Sequence, residues 1–275
     1  MSVHRIGMIV PSSNLTMETE LPRMLHDREE LVPDEQFTFH SSRMRMKHVT
    51  PEELARMNAQ TERATLELAD ARPHVVTSAC LVAIMAQGPG YHCHAEAQIT
   101  GVLDGEGLDV PVVSSAGALL RALEAMGARK IAMVTPYMKP LTQLVADYVE
   151  DAGIEVCDAY SLEVSDNLAV AQLDPAGLHE HWKKVDTRDA DALVLSACVQ
   201  MPSLPAVQPV EDAAGLPVLS AATATVFTLL SELGLRPVVP RAGRLLSGAV
   251  TMAPAPRRAA EPVTSQAPDV PLPEA

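Results

Sequence analysis

Two cysteines in this chain sit in near-copies of one phrase. Val76-Thr-Ser-Ala-Cys-Leu-Val82 places Cys80 after a short β-branched, apolar run, and Val194-Leu-Ser-Ala-Cys-Val-Gln200 does the same for Cys198. If two halves of the molecule face each other, the two thiols flank one cleft. Opposed thiols can add or remove a proton, or supply a nucleophile, on either face of a small molecule. Other polar residues follow apolar runs in the same way: Asn14 in Pro11-Ser-Ser-Asn14, Tyr137 in Thr135-Pro-Tyr137 and Asn167 in Ser165-Asp-Asn167. In an open parallel sheet such strand ends converge on one ligand crevice, so these side chains would bring uncharged donors to its rim. A thiol at a strand-to-helix turn is also expected to have its pKa lowered by the helix N-terminus.

Each of these residues has a plain structural reading as well. A small cysteine after a strand can fill a tight packing site. Asn14 can be a helix N-cap, Tyr137 a half-buried aromatic whose hydroxyl reaches water, and Asn167 a turn residue. The paired, equivalent placement of Cys80 and Cys198 favours chemistry over packing. Tyr91-His-Cys-His94 resembles a metal cluster, but its adjacent ligands are not spaced for one face and no second cluster accompanies them, so it reads as a solvent-facing helix start and no metal is expected. Gly88-Pro-Gly90 is a turn signal without the lysine or glycine spacing of a phosphate loop. No Gly-x-Ser-x-Gly elbow occurs. Arg43-Met-Arg45 could help hold an anion, although alternating charge at a strand end is usually solvated surface.

The elements that must position these residues alternate between short apolar runs and longer helical periods, the pattern of βα units and a mainly parallel sheet. Strands are predicted at Arg5–Val10, Phe37–Ser41, His74–Ser78, Val110–Val113, Lys130–Val134, Glu155–Ser161, Ala192–Ser196 and Pro217–Leu219. A helix is predicted over Thr50–Ala71, opened by a capping box of Thr50, Pro51 and Glu53. Further helices, Ala116–Met126 and Ala222–Leu233, end at Gly127 and Gly234, which suit the left-handed position after a helix. Two more phrases recur in the same order as the cysteine phrases: Ile6-Gly-Met-Ile-Val-Pro11 with Ile131-Ala-Met-Val-Thr-Pro136, and Val110-Pro-Val-Val-Ser-Ser-Ala116 with Leu216-Pro-Val-Leu-Ser-Ala-Ala222. This order implies an ancestral duplication giving two similar α/β lobes related by a pseudo-two-fold axis, with the active site between them. The expected division is a first lobe over 1–117 completed by 218–250, a second over 118–217, and a Pro/Ala-rich disordered tail over 251–275.

Composition narrows the partners. Hydrophobic residues make up 47% of the 275 and aromatics only 3%, so the core is aliphatic and no aromatic platform exists for stacking bases. A formal net charge of −14 disfavours nucleic acid and anionic membrane surfaces. A small anionic substrate is still admissible, because local amide and hydroxyl donors can bind a carboxylate inside a cleft. The four cysteines, at 80, 93, 157 and 198, show neither Cys-x-x-Cys spacing nor a dense disulfide pattern. With no export signal and no apolar run long enough to span a bilayer, a reducing cytoplasm is the expected location.

Taken together, Val10-Pro-Ser-Ser-Asn-Leu-Thr-Met-Glu-Thr-Glu20, Arg43-Met-Arg-Met46, Ala79-Cys-Leu-Val82, Ser114-Ser-Ala-Gly-Ala118, Val134-Thr-Pro-Tyr-Met138, Asp166-Asn167 and Ser196-Ala-Cys-Val-Gln-Met-Pro-Ser203 resemble the aspartate/glutamate racemase superfamily and, within it, the maleate cis-trans isomerases. The resemblance runs from about residue 4 to about 248. It implies two flavodoxin-like lobes, usually in a homodimer, and a cofactor-independent conversion of maleate to fumarate. On the same basis Cys80 is the nucleophile that forms a succinyl-cysteine intermediate, and Cys198 donates and accepts the proton. Asn14, Tyr137 and Asn167 match the residues that hold the substrate carboxylates, with further donors at the amides of Leu81, Val82 and Val199. The alternative is a two-cysteine racemase of an amino acid or hydantoin. Arylmalonate decarboxylation fits less well, since that relative keeps one of the two cysteines and this chain keeps both. A non-catalytic binding module with two structural cysteines is the reading from a different class.

Overall fold

A computed structural model of the chain describes residues 1–47 and 51–252. The first half runs β1 (Ser2–Pro11), α1 (Met17–Glu29), β2 (Glu35–Met44), α2 (Pro51–Asn58), α3 (Thr61–Ala69), β3 (Val75–Ser78), α4 (Leu81–Met85), α5 (Tyr91–Gly105), β4 (Val112–Ser114) and α6 (Ser115–Ala125). The second half runs β5 (Lys130–Thr135), α7 (Lys139–Asp151), β6 (Glu155–Ser161), α8 (Asn167–Ala171), α9 (Leu178–His181), β7 (Ala192–Ser196), α10 (Leu204–Ala214), β8 (Val218–Ser220) and α11 (Ala221–Glu232). Among the described residues there are two four-stranded sheets, ordered β2-β1-β3-β4 and β6-β5-β7-β8, and every pairing in them is parallel. The protein is therefore α/β, with the same strand order in both halves.

The three duplicated phrases fall on matching strands: β1 and β5 are the second strands of their sheets, the cysteine phrases form β3 and β7, and the third pair forms β4 and β8. The likeness extends to the caps. Ser114 and Ser220 each end an edge strand and accept a hydrogen bond from the third residue of the next helix, Gly117 and Thr223. β3 and β7 are buried throughout, as strands covered on both faces must be, and this is why they read as continuous apolar runs.

The halves are interlocked by their last helices. α11 packs along α6 and also reaches α1, β3 and β4. The expected division at 217/218 falls just before β8, which hydrogen-bonds to β7 of the second sheet; the segment that crosses to the first half begins with α11. Arg28, 1% exposed, fastens the chain beyond α11 by donating to the carbonyls of Arg236 and Val238 while pairing with Glu35.

One predicted helix is divided. Thr50–Ala71 contains α2 and α3, separated at Ala59 and Gln60. Here the Thr61 hydroxyl donates to the Asn58 carbonyl and the Gln60 side chain accepts the Arg45 amide, local bonds that compete with helix continuation. Thr50, the predicted N-cap, lies outside the described residues, as do residues 253–275 of the predicted tail. Gly127 and Gly234 have φ of 71° and 70°, the left-handed conformation expected after α6 and α11.

Candidate active site

Cys80 and Cys198 are held by the same backbone device. The residue before each sits at the end of its strand and donates to its sheet's central strand: Ala79 to Ile9 at 2.9 Å and Ala197 to Val134 at 3.1 Å. Beyond this point the two phrases diverge. Cys80 has φ 80° and ψ 66°, a left-handed conformation that a side chain bearing a Cβ adopts only at a cost of about 1–3 kcal/mol, and α4 begins at the next residue. The amides of Leu81 and Val82, in the first turn of α4, have no intrahelical acceptor and remain available to a ligand. Cys198 begins a looser connection to α10, and the Ser196 hydroxyl donates to its carbonyl at 2.9 Å.

All eight residues singled out above line one cavity: Asn14, Cys80, Leu81, Val82, Tyr137, Asn167, Cys198 and Val199, joined by Pro11, Met46 and Gln200. The cavity leaves about 20 Å³ for the centres of water-sized molecules, room for about one water. None of these lining residues carries a formal charge at neutral pH, and the polar ones are amides, thiols and one phenol. A larger open groove on the surface, lined by Arg45, Lys47, Glu53, Arg56 and Gln60, contains neither thiol.

Enclosure sets the electrostatics, and it corrects the expectation of a lowered thiol pKa. Burial pushes the Cys80 thiol up to about 12; the Ala83 amide aimed at the sulfur opposes this and is outweighed, and nearby Cys198 adds to the rise. Cys198 is also raised by burial, but three donors pull against it: the Tyr137 hydroxyl and the amides of Gln200 and Met201. Of the two, Cys198 has the better-solvated thiolate. Tyr137 is itself buried, with its pKa raised well above the ordinary phenol value by desolvation and by Cys198. Its hydroxyl therefore stays protonated and lies 3.4 Å from the Ala197 carbonyl.

Asn14 is not the N-cap of α1, a position held by Thr16, but its Oδ1 accepts the Met17 amide at the start of that helix at 2.9 Å while the residue lines the cavity. Arg43 holds this loop from behind, donating to the carbonyls of Ser12 and Asn14 while pairing with Glu18, so its guanidinium positions backbone and does not face the cavity. Asn167 is the first residue of α8, and its Nδ2 donates to Ser13 Oγ at 2.8 Å, joining the halves. The Tyr91-His-Cys-His94 run opens α5, where His92 bonds the Tyr148 hydroxyl at 2.7 Å; among the described residues no three His, Cys, Asp or Glu side chains are grouped to hold a metal.

Sequence reasoning passes over Gln200, Met46 and Glu20. Gln200 stands where the first cysteine phrase has Val82, and that mismatch between near-copies is its one signal. Met46 lies two residues beyond β2 and closes the Arg43-Met-Arg-Met46 motif of the family resemblance, but that motif gives it no role of its own. Glu20, on α1, crosses to the other half and accepts the amides of Ser203 at 2.6 Å and Leu204 at 2.7 Å, capping α10. Burial raises its carboxyl above the usual range against the pull of those donors.

Comparison with known proteins places this geometry in a family. The chain matches the sequence model described as arylmalonate decarboxylase over residues 6–246. It is 58% identical over 244 residues to the maleate isomerase of Geobacillus stearothermophilus, covering 89% of this chain and 97% of that protein. A crystal structure of a cysteine-to-alanine variant of the maleate isomerase Iso from Pseudomonas putida S16, with maleate, superposes with a TM-score of 0.88 at 54% identity, covering 90% of this chain and 99% of that one. A cysteine-to-serine mutant of the Nocardia farcinica maleate cis-trans isomerase, carrying a covalently bound succinylcysteine intermediate, gives a TM-score of 0.86 at 48% identity, covering 90% and 99%.

Proposed function

This chain belongs to the arylmalonate decarboxylase family and, within it, groups with the maleate isomerases, and from that premise we propose that it isomerises maleate to fumarate through a covalent succinyl-cysteine at Cys80. The observation that carries the reading is the enclosure of two buried thiols with only uncharged donors. A carbon–carbon double bond does not rotate until its π bond is removed. Addition of an S–H group across it leaves a single bond that turns, and reversal of the addition after rotation releases the trans isomer.

The atoms balance without an oxidant or reductant. Cys80 sulfur bonds one alkene carbon, Cys198 gives its proton to the other, and the Cys80 proton refills Cys198. The C–S and C–H bonds form as the π bond and one S–H bond break; elimination runs the same steps backwards. The contrast between the sulfurs supports this division. The thiol with three donors at its thiolate is the one asked to release a proton in the transition state. The other, presented on a strained turn, becomes a strong nucleophile once deprotonated.

Negative charge moves onto a substrate carboxylate as sulfur adds. The side chains of Asn14, Tyr137 and Asn167 and the amides of Leu81, Val82 and Val199 are assigned to the two carboxylates. Preorganised neutral donors of this kind stabilise developing charge without holding the ground state too tightly. A racemase acting on an α-ammonium group finds no carboxylate in this cavity. The catalytic cycle needs both thiols reduced, and all four cysteines are free, which supports a reducing, cytoplasmic location. A homodimer is proposed from the family resemblance, and light scattering should return twice the chain mass.

Proton NMR of maleate mixed with reduced protein, without added cofactor, tests the function. Fumarate should appear with the wild type, and Cys80→Ser should lose roughly 10⁴-fold or more in rate, the scale of removing one member of a catalytic unit. Substantial turnover by that variant would remove Cys80 from the mechanism.

A further inference from the structure

Gln200 is 3% exposed and engages both ends of its side-chain amide across the junction of the two halves. Its Oε1 accepts the Leu15 amide at 3.0 Å, and its Nε2 donates to the carbonyls of Ser13 at 2.9 Å and Asn167 at 2.8 Å. The alternative amide orientation would set Nε2 against an N–H and Oε1 against two carbonyls, so these partners fix it. The main chain of the same residue is also committed: its N–H faces Cys198 Sγ at 3.4 Å, and its carbonyl accepts the Thr16 hydroxyl at 2.6 Å. One residue thus connects the proton-transferring sulfur with the turns that carry Asn14 and Asn167.

We propose that Gln200 is a positioning residue that holds Cys198 in register with the substrate-binding turns, and that removal of the carbon-bound proton from the covalent intermediate depends on it. The inference rests on the isomerase reading above. Cys80 has a separate tether, through Ala79 to β1 and through α4, and makes no contact with Gln200 among the bonds described. Proton transfer to and from carbon crosses one transition state in both directions, and a C–H bond beside a carboxylate is very weakly acidic, so it gives up its proton only to a well-placed base. Misplacing Cys198 raises that barrier and makes proton transfer limit turnover.

The test is Gln200→Met, which keeps length and approximate volume and removes all three side-chain hydrogen bonds. With maleate as substrate, kcat should fall roughly 10²-fold, the loss associated with a displacement of about 1 Å at a reacting group. KM should change far less, and the solvent deuterium isotope effect on kcat should rise above that of the wild type, because the transferred proton sits on an exchangeable thiol. A folded variant with wild-type kcat, a rise in KM alone, or a fall in kcat with an unchanged solvent isotope effect would overturn the proposal. If thermal unfolding shows that Gln200→Met does not fold, Gln200→Glu serves: it keeps the acceptor for Leu15, loses the donors to Ser13 and Asn167, and carries the same expectations. Absence of turnover by the wild type would instead overturn the isomerase reading itself.

Discussion

Cys80 and Cys198 begin as copies and end with different surroundings, and the difference can be measured one residue at a time. In the unliganded protein Cys80 is a neutral thiol at pH 7, since burial holds its pKa at about 12. The sign follows directly: the raised value keeps the proton on sulfur throughout the neutral range, and the thiolate fraction grows about tenfold per pH unit until that value is approached. Iodoacetamide labelling followed by peptide mapping should therefore modify exposed Cys93 well before Cys80 at pH 7, with Cys80 labelling still climbing above about pH 9. A labelling rate at Cys80 that levels off near neutral pH would show a preformed thiolate instead. The sequence singles out Cys80 and Cys198 because duplication puts them in register, and the fold brings both to one cavity. Their ionisation is not legible there, since it depends on how completely two distant strand ends and their neighbours exclude water. Asn14 and Asn167 carry local turn signals, whereas the bond from Asn167 to Ser13 joins turns far apart in the chain.

At the scale of elements, the site depends on helix starts that are satisfied from the opposite half. α10 begins at Leu204 with no cap from its own Ser203; its N-terminus is served by Glu20 of α1. Glu20→Ala should cost about 2 kcal/mol through the lost cap and the amides left unpaired. That corresponds to a fall in Tm of roughly 4–8 °C for a chain of this size. A calorimetric Tm unchanged by the substitution would show that the contact contributes nothing to stability. Elements with local signals are the legible ones: each predicted strand overlaps an observed one, the fully buried β3 and β7 being apolar along their whole length, and the glycines after α6 and α11 mark those ends. The break between α2 and α3 escapes prediction because neither glycine nor proline occurs there, and it is set by Thr61 and Gln60 making bonds that helical periodicity does not reveal. Glu20 is invisible as a cap because the amides it accepts, those of Ser203 and Leu204, lie in the other half.

For the whole molecule, equal strand order in the two sheets makes an approximate two-fold relation, and the unequal turns at the centre give the two thiols the different surroundings that the proposed division of labour uses. Helices α6 and α11 hold the halves together, and the cavity between the strand ends has room for about one water. A four-carbon dicarboxylate bound among these side chains meets only neutral donors. A net charge of −14 on the molecule makes that local arrangement of donors the necessary attraction for a dianion. In the proposed mechanism one sulfur forms the carbon bond and the other moves the proton. Incubating Cys198→Ser with maleate, digesting the protein and mapping the modified residue by mass spectrometry separates the two roles. One substrate mass is expected on the peptide containing Cys80, retained because the hydroxyl that replaces the second sulfur is too poor a base to reverse the addition. Modification at another cysteine, or an unmodified Cys80 in a variant that still turns over maleate, would contradict it.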